Sequence, residues 1–64
     1  MSKPKCKLIG ENGNIFNLVG IAARTLKLNN QTDRANEMMH RITQGEAKNY
    51  SEALAIISEY VDVY

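Results

Sequence analysis

The sequence predicts a small, mainly helical α+β domain in which a short strand at each end of the chain brackets three helices. Three observations point to this fold class. Apolar residues recur at helical spacing in three stretches, turn-forming residues separate these stretches, and both ends alternate with the two-residue period of a strand. At 64 residues the chain is too short for more than one core, so we expect a single domain over residues 1–64.

The two ends of the chain have the pattern of short strands. Residues 5–9 begin with an alternation that places Cys6 and Leu8 on one face and lysines on the other. Residues 61–64 alternate again and are rich in β-branched and aromatic side chains. A pair of strands is stable only when it packs against something else, so we expect the two ends to pair and the helices to lie on one face of the pair.

The first helix is predicted over residues 15–28, with Asn14 as its N-cap after an Asn-Gly turn. Asn29 and Asn30 should end it, since asparagine tolerates the left-handed conformation that stops helices. Gly20 is disfavoured inside a helix by about 1 kcal/mol relative to alanine, which predicts that the backbone of a neighbouring segment passes close to it. The apolar stripe that should face the core is Ile15, Leu18, Val19, Ala22 and Leu26.

Two further helices are predicted from apolar spacing and end signals. The second spans residues 33–44, with Thr32 as its N-cap and Gly45 just past its end. The third spans residues 50–60 and begins with a capping-box arrangement at Asn49. The inward-facing residues predicted for this half of the chain are Ala35, Met38, Met39, Ile42, Ala53, Leu54, Ile57 and Val61.

The size of the chain predicts self-association. A domain this short buries only about 60% of the surface that its unfolded chain exposes, and such domains usually add disulfides, a metal or oligomerisation to a thin core. Cys6 is the only cysteine and His40 the only histidine, so one chain can form neither an internal disulfide nor a zinc site with several Cys or His ligands. We therefore expect a homo-oligomer, a dimer or higher, and the open edges of a two-stranded sheet are a second reason.

Charge is distributed unevenly along the chain. Residues 1–30 carry five basic side chains and one carboxylate, whereas residues 31–64 carry three basic and six acidic side chains. This favours an anionic partner at the first half or head-to-tail contact between copies, although ordinary solvated faces would look the same. No apolar run approaches the roughly 18 residues of a membrane-spanning helix, and the first residues lack the apolar core of a signal peptide, so we expect a cytoplasmic protein that does not bind a membrane.

Catalytic patterns are missing from the sequence. His40 has no second histidine or cysteine to complete a metal site or a nucleophile-base pair, and Cys6 is expected to be a small buried apolar residue. The glycines at 10 and 13 fit neither a dinucleotide fingerprint nor a phosphate-binding loop that ends in Gly-Lys-Ser/Thr. We expect a protein that is not an enzyme and that uses no cofactor and no metal.

One feature suggests a binding site. A turn rich in glycine and asparagine runs into the start of the first helix, where free backbone N–H groups and the helix dipole attract anions. The same residues would also serve as nothing more than a tight turn and a helix cap. The candidate ligand-binding residues are Lys7, Gly10, Asn12, Gly13, Asn14, Phe16, Asn17 and Arg24.

Nucleic-acid binding is the less favoured alternative. The second and third helices, joined at Gly45, could imitate a helix-turn-helix. The third helix, however, carries Glu52 and Glu59 and no lysine or arginine, while phosphate contacts dominate the affinity of proteins for DNA.

Residues 7–27, which read KLIGENGNIFNLVGIAARTLK, resemble a group of very short, functionally unassigned proteins of bacteriophages and mobile elements in Gram-positive bacteria. In that group a K-L-I/V-G strand runs into a D/E-x-G-N-x-F turn and then into a helix with a glycine and a basic residue. The segments YSEAL at residues 50–54 and EYVDV at residues 59–63 match the closing pattern of the group, so the resemblance covers nearly the whole chain.

The resemblance implies an accessory protein that acts stoichiometrically on the host cell. It would antagonise a host defence system either by sequestering an anionic, nucleotide-like signal or by blocking a host protein. Sequestration predicts a pocket lined by Lys7, Asn12, Asn14, Asn17 and Arg24 and completed by a second subunit. Blocking predicts an exposed apolar patch.

Overall fold

A computed structural model describes residues 3–64. Along the chain, a short strand is followed by three helices and a second short strand, which confirms the predicted α+β, mainly helical fold. The elements are β1 (Lys5–Cys6), α1 (Ile15–Leu28), α2 (Thr32–Thr43), α3 (Tyr50–Tyr60) and β2 (Asp62–Val63).

The two strands pair with each other, as predicted, and they run parallel, with Lys5 opposite Asp62 and Cys6 opposite Val63. A parallel pair needs a long connection between its strands, and here the three helices provide it. Both strands are shorter than the alternating stretches at 5–9 and 61–64. The regular pairing of the strands ends at Tyr64, because the backbone N–H groups of Leu8 and Ile9 both donate to its carbonyl.

Most helix ends follow the predicted signals. The side chain of Asn14 accepts a hydrogen bond from the N–H of Phe16, and Asn30 takes the left-handed conformation, with φ of 61°, just after α1. Gly45 does the same after α2, with φ of 89°. The predicted cap at Thr32 is wrong, because α2 already begins at that residue. The connection from α1 is so short that the chain turns directly into the new helix.

The core lies where the inner faces of the three helices meet β1. Its fully buried large side chains include Leu26, Met38 and Ile57, one from each helix. Met39 was expected to face inward but is exposed. Successive residues of a helix point about 100° apart, and Met38 occupies the inward direction. Cys6 is buried in the core, as predicted.

Gly20 differs from its prediction. A Cβ atom built at Gly20 has no other described atom within 4 Å, apart from its own helix backbone and chain neighbours, and the residue is exposed. No segment within residues 3–64 passes close to it. Packing inside the described chain therefore does not explain a glycine in the middle of α1.

Candidate binding groove

A groove opens where three helix ends meet: the first turn of α1, the last turn of α2 and the first turn of α3. Its volume is about 500 Å³. The apolar residues that line it are Ile15, Phe16, Ile42, Ala47, Tyr50 and Ala53, and its polar residues are Thr43, Lys48 and Asn49. A concave apolar site with a few polar groups at its edge is typical of binding sites in proteins.

The apolar floor of the groove is continuous with the protein core. Ala53 is buried, and Ile15, Ile42 and Ala47 are partly buried against the core. The walls differ from the floor, because Phe16 exposes 78% of its surface to solvent. Tyr50 exposes 47%. Two aromatic side chains are therefore held in solvent beside an apolar floor.

Hydrogen bonds at the start of α3 fix the wall formed by Tyr50. The side chain of Asn49 accepts from the N–H of Glu52 at 2.9 Å, as the predicted capping box requires. The Glu52 carboxylate reaches back one residue further than in the usual motif and accepts from the N–H of Lys48 at 3.2 Å. The loop that carries Lys48 and Tyr50 is thereby tied to the first turn of α3.

A cluster centred on Arg41 joins the last turn of α2 to the last turn of α3. The guanidinium of Arg41 donates to the carboxylates of Glu59 at 2.9 Å and Glu46 at 3.1 Å and to the hydroxyl of Tyr60 at 3.2 Å. The Tyr60 hydroxyl in turn donates to the carboxylate of Glu37. Burial and the hydrogen bond to Glu37 raise the pKa of Tyr60. The hydrogen bonds of Arg41 to Glu59, Tyr60 and Glu46 raise its own pKa. These contacts hold α2 and α3, which both contribute residues to the groove, against each other.

The Arg41 cluster should make the protein sensitive to acid. The hydrogen bond from Arg41 holds the pKa of Glu59 below its ordinary value of 4.5. The stabilisation from this pair is therefore complete above about pH 4.5 and is lost as the pH falls through the lower pKa of the folded state. We expect the melting temperature of the wild type to fall more between about pH 6 and pH 3 than that of Glu59→Gln, whose amide does not titrate. Parallel curves for the two proteins would contradict this.

The predicted anion site has the structure of a hydrogen-bonded turn. The side chain of Asn12 accepts from the N–H of Asn14 at 2.9 Å, and the side chain of Asn14 accepts from the N–H of Phe16 at 2.9 Å. The amide of Asn17 donates to the carbonyl of Asn12 at 3.0 Å. The three asparagine side chains thus hold the turn and the helix start together.

The glycines of the predicted site shape the same turn. Gly10 has a φ of 90°, which favours glycine strongly over other residues. A Cβ at Gly13 would lie 3.8 Å from the hydroxyl of Tyr50, so the turn borders the groove at that wall.

The two basic residues of the predicted site lie on opposite sides of the turn in the sequence, and both are exposed. Lys7 is exposed just after β1. Arg24 is exposed in the third turn of α1, about 15 Å along the helix axis from Asn14. Of the predicted site residues, Phe16 lines the groove. Anion binding by the others stays a prediction.

The groove itself was not identified from the sequence. Two features of the sequence could have indicated the groove. They are the aromatic residues outside the apolar stripes, Phe16 on α1 and Tyr50 on the flank of α3. Neither signal shows that the first turns of α1 and α3 and the last turn of α2 meet at one groove.

Residues 3–64 contain no group of three or more His, Cys, Asp or Glu side chains placed to hold a metal ion. None of the helices in that range is long and apolar enough to cross a membrane. Comparisons with protein-family models, curated proteins and solved structures found no match to this chain. The resemblance to short phage proteins stays a prediction.

Proposed function

We propose that this chain acts without catalysis, by stoichiometric binding, and that the groove holds an apolar segment of a partner protein. The observation that carries this proposal is the pair of exposed aromatic side chains, Phe16 and Tyr50, that line the groove together with an apolar floor. An aromatic side chain can bury about 150–250 Å², at roughly 25 cal/mol per Å². Covering both walls would therefore contribute several kcal/mol to binding.

Lys48 suggests the chemistry of the partner segment. It lines the groove, and its ammonium forms no ion pair within residues 3–64. An acidic side chain next to an apolar anchor would complement both the floor and this charge. The proposed partner segment therefore presents an apolar side chain with a carboxylate beside it.

The resemblance to phage accessory proteins supports a host protein as the partner. When this chain binds a host defence or regulatory protein, it would cover a surface that the host protein needs for contacts with other molecules. Sequestration of an anionic signal is less well supported, because the asparagine side chains of the predicted site already bond within their own turn.

A matched pair of tyrosine variants tests the groove. Tyr50 lines it, whereas Tyr64 is exposed to a similar extent, 54%, and does not line it. Wild type, Tyr50→Ser and Tyr64→Ser would be immobilised and exposed to extract of a Gram-positive host, and the captured protein would be identified and purified. We expect Tyr50→Ser to weaken its binding by about 30-fold, because truncation of an aromatic hot-spot residue costs about 2 kcal/mol, and Tyr64→Ser to bind as the wild type does.

Three outcomes would contradict the proposal. Equal capture by all three proteins would place the contact outside the groove. No captured protein, together with a rise in melting temperature on addition of a nucleotide, would favour sequestration. Salt-dependent binding to duplex DNA would favour the alternative of a small DNA-binding or regulatory accessory protein.

A further inference from the structure

The middle of α1 has an open, exposed position at Gly20. Glycine is disfavoured inside helices, and no other described atom lies within 4 Å of the site of its missing Cβ, outside its own helix backbone and chain neighbours. An alanine would fit there without moving any described atom. A glycine at such a position is explained if another molecule approaches the helix closely at that point.

A protruding side chain stands one turn before this position. Phe16 precedes Gly20 by four residues, so the two lie on the same side of α1. At 78%, Phe16 has the largest exposed fraction among the large hydrophobic side chains of residues 3–64. The exposed face of α1 therefore carries a knob and a hole about 6 Å apart along the helix axis.

We propose that this face of α1 is the interface with a second copy of the chain. Two α1 helices would cross antiparallel about a two-fold axis that passes between Phe16 and Gly20. Such an axis places each Phe16 over the partner's Gly20, and the interface is self-complementary, as a two-fold interface requires. The missing Cβ at Gly20 lets the aromatic ring approach the backbone of the other helix.

Charge supports a second copy as the occupant. Arg24 follows Gly20 by one turn on the exposed side of α1. The antiparallel arrangement directs it toward the partner's turn that precedes α1. That turn contains Glu11, which is the one carboxylate of the first thirty residues. The dipoles of two antiparallel helices also attract each other, because the positive end of one lies beside the negative end of the other.

The size of the molecule allows such an interface. A standard interface buries about 800 Å² on each partner, which is roughly a fifth of the 4271 Å² of accessible surface. The molecule is a slab of 28 × 26 × 16 Å, and α1 extends for about 21 Å across it. Contact along α1 and its flanks can supply this area. Ile15 and Phe16 of α1 also line the groove, so the dimer would compete with the partner segment for Phe16, whereas the other groove residues lie on α2, on α3 and between those helices.

Sedimentation equilibrium tests the interface. Over roughly 1–300 µM, a range set by typical dimer affinities, we expect the wild type to form a dimer of twice its 7.2 kDa mass. Gly20→Gln fills the hole with a good helix former, so we expect at least tenfold weaker association together with a higher melting temperature at low concentration. Ala55→Gln, at an exposed alanine of α3, should leave association unchanged.

A compensating pair of substitutions sharpens the test. Gly20→Phe alone would oppose two aromatic rings and should prevent association. Combining it with Phe16→Gly exchanges knob and hole, and we expect the dimer to return. A wild type that stays monomeric at the highest concentration, or a dimer that Gly20→Gln leaves intact, would overturn the proposal. Tyr50→Ser should remain dimeric, which separates this result from a failure of the groove.

Discussion

Replacing Leu26 with alanine is expected to lower the free energy of unfolding by about 2–5 kcal/mol. Leu26 lies in the last turn of α1 and exposes 0% of its surface, and its truncation would leave a cavity between the helices. A domain of this size rarely draws more than about 3–5 kcal/mol from its core. We therefore expect a large part of the Leu26→Ala protein to be unfolded at room temperature.

Leu28 provides the matched control for this prediction. It lies two residues further along the same helix and exposes 73% of its surface, so Leu28→Ala should change the unfolding free energy by no more than about 0.5 kcal/mol. Urea unfolding followed by far-ultraviolet circular dichroism measures both variants. Equal effects of the two substitutions would show that α1 does not bury the face that carries Leu26.

Enlarging Ala35 to leucine is expected to cost about 1–3 kcal/mol. Ala35 is fully buried on α2 and belongs to the same core cluster as Ala22 and Ala23 of α1. These small side chains allow α1 and α2 to pack closely in the core. A leucine at position 35 would have to displace α1, because a close-packed core has no room for three added carbon atoms.

The control for overpacking is Ala55→Leu. Ala55 is an exposed alanine on α3, so the same substitution there should change stability by less than about 0.5 kcal/mol. Chemical denaturation compares the two variants. If Ala35→Leu unfolds at the same denaturant concentration as the wild type, the α1–α2 contact is looser than the structure shows.

The location of the groove follows from how three helices pack in a short chain. Residues in the middle of α1 and α2 are covered on their inner side by neighbouring elements. At the ends of helices fewer neighbours are available, so apolar residues such as Phe16 and Tyr50 stay partly in solvent. Three helix ends that meet at one place leave an apolar floor that this chain does not cover.

The sequence by itself determined the features that depend on neighbouring residues. Asn14 and Asn49 define the starts of α1 and α3, and the predicted bounds of α1, 15–28, are those of the structure. Gly45 ends α2 with the expected positive φ. These signals are readable because each helix cap is a hydrogen bond between residues two or three positions apart. The strand patterns at the two ends are local in the same way.

Only the tertiary structure decided the features that depend on residues distant in the chain. Two adjacent methionines look equivalent in the sequence, and the packing of α2 buries Met38 and exposes Met39. The parallel direction of the strand pair, the open space at Gly20 and the groove all depend on how elements are placed relative to one another. Apolar spacing shows that a helix has an inner face, but neighbouring elements determine how much of that face is covered.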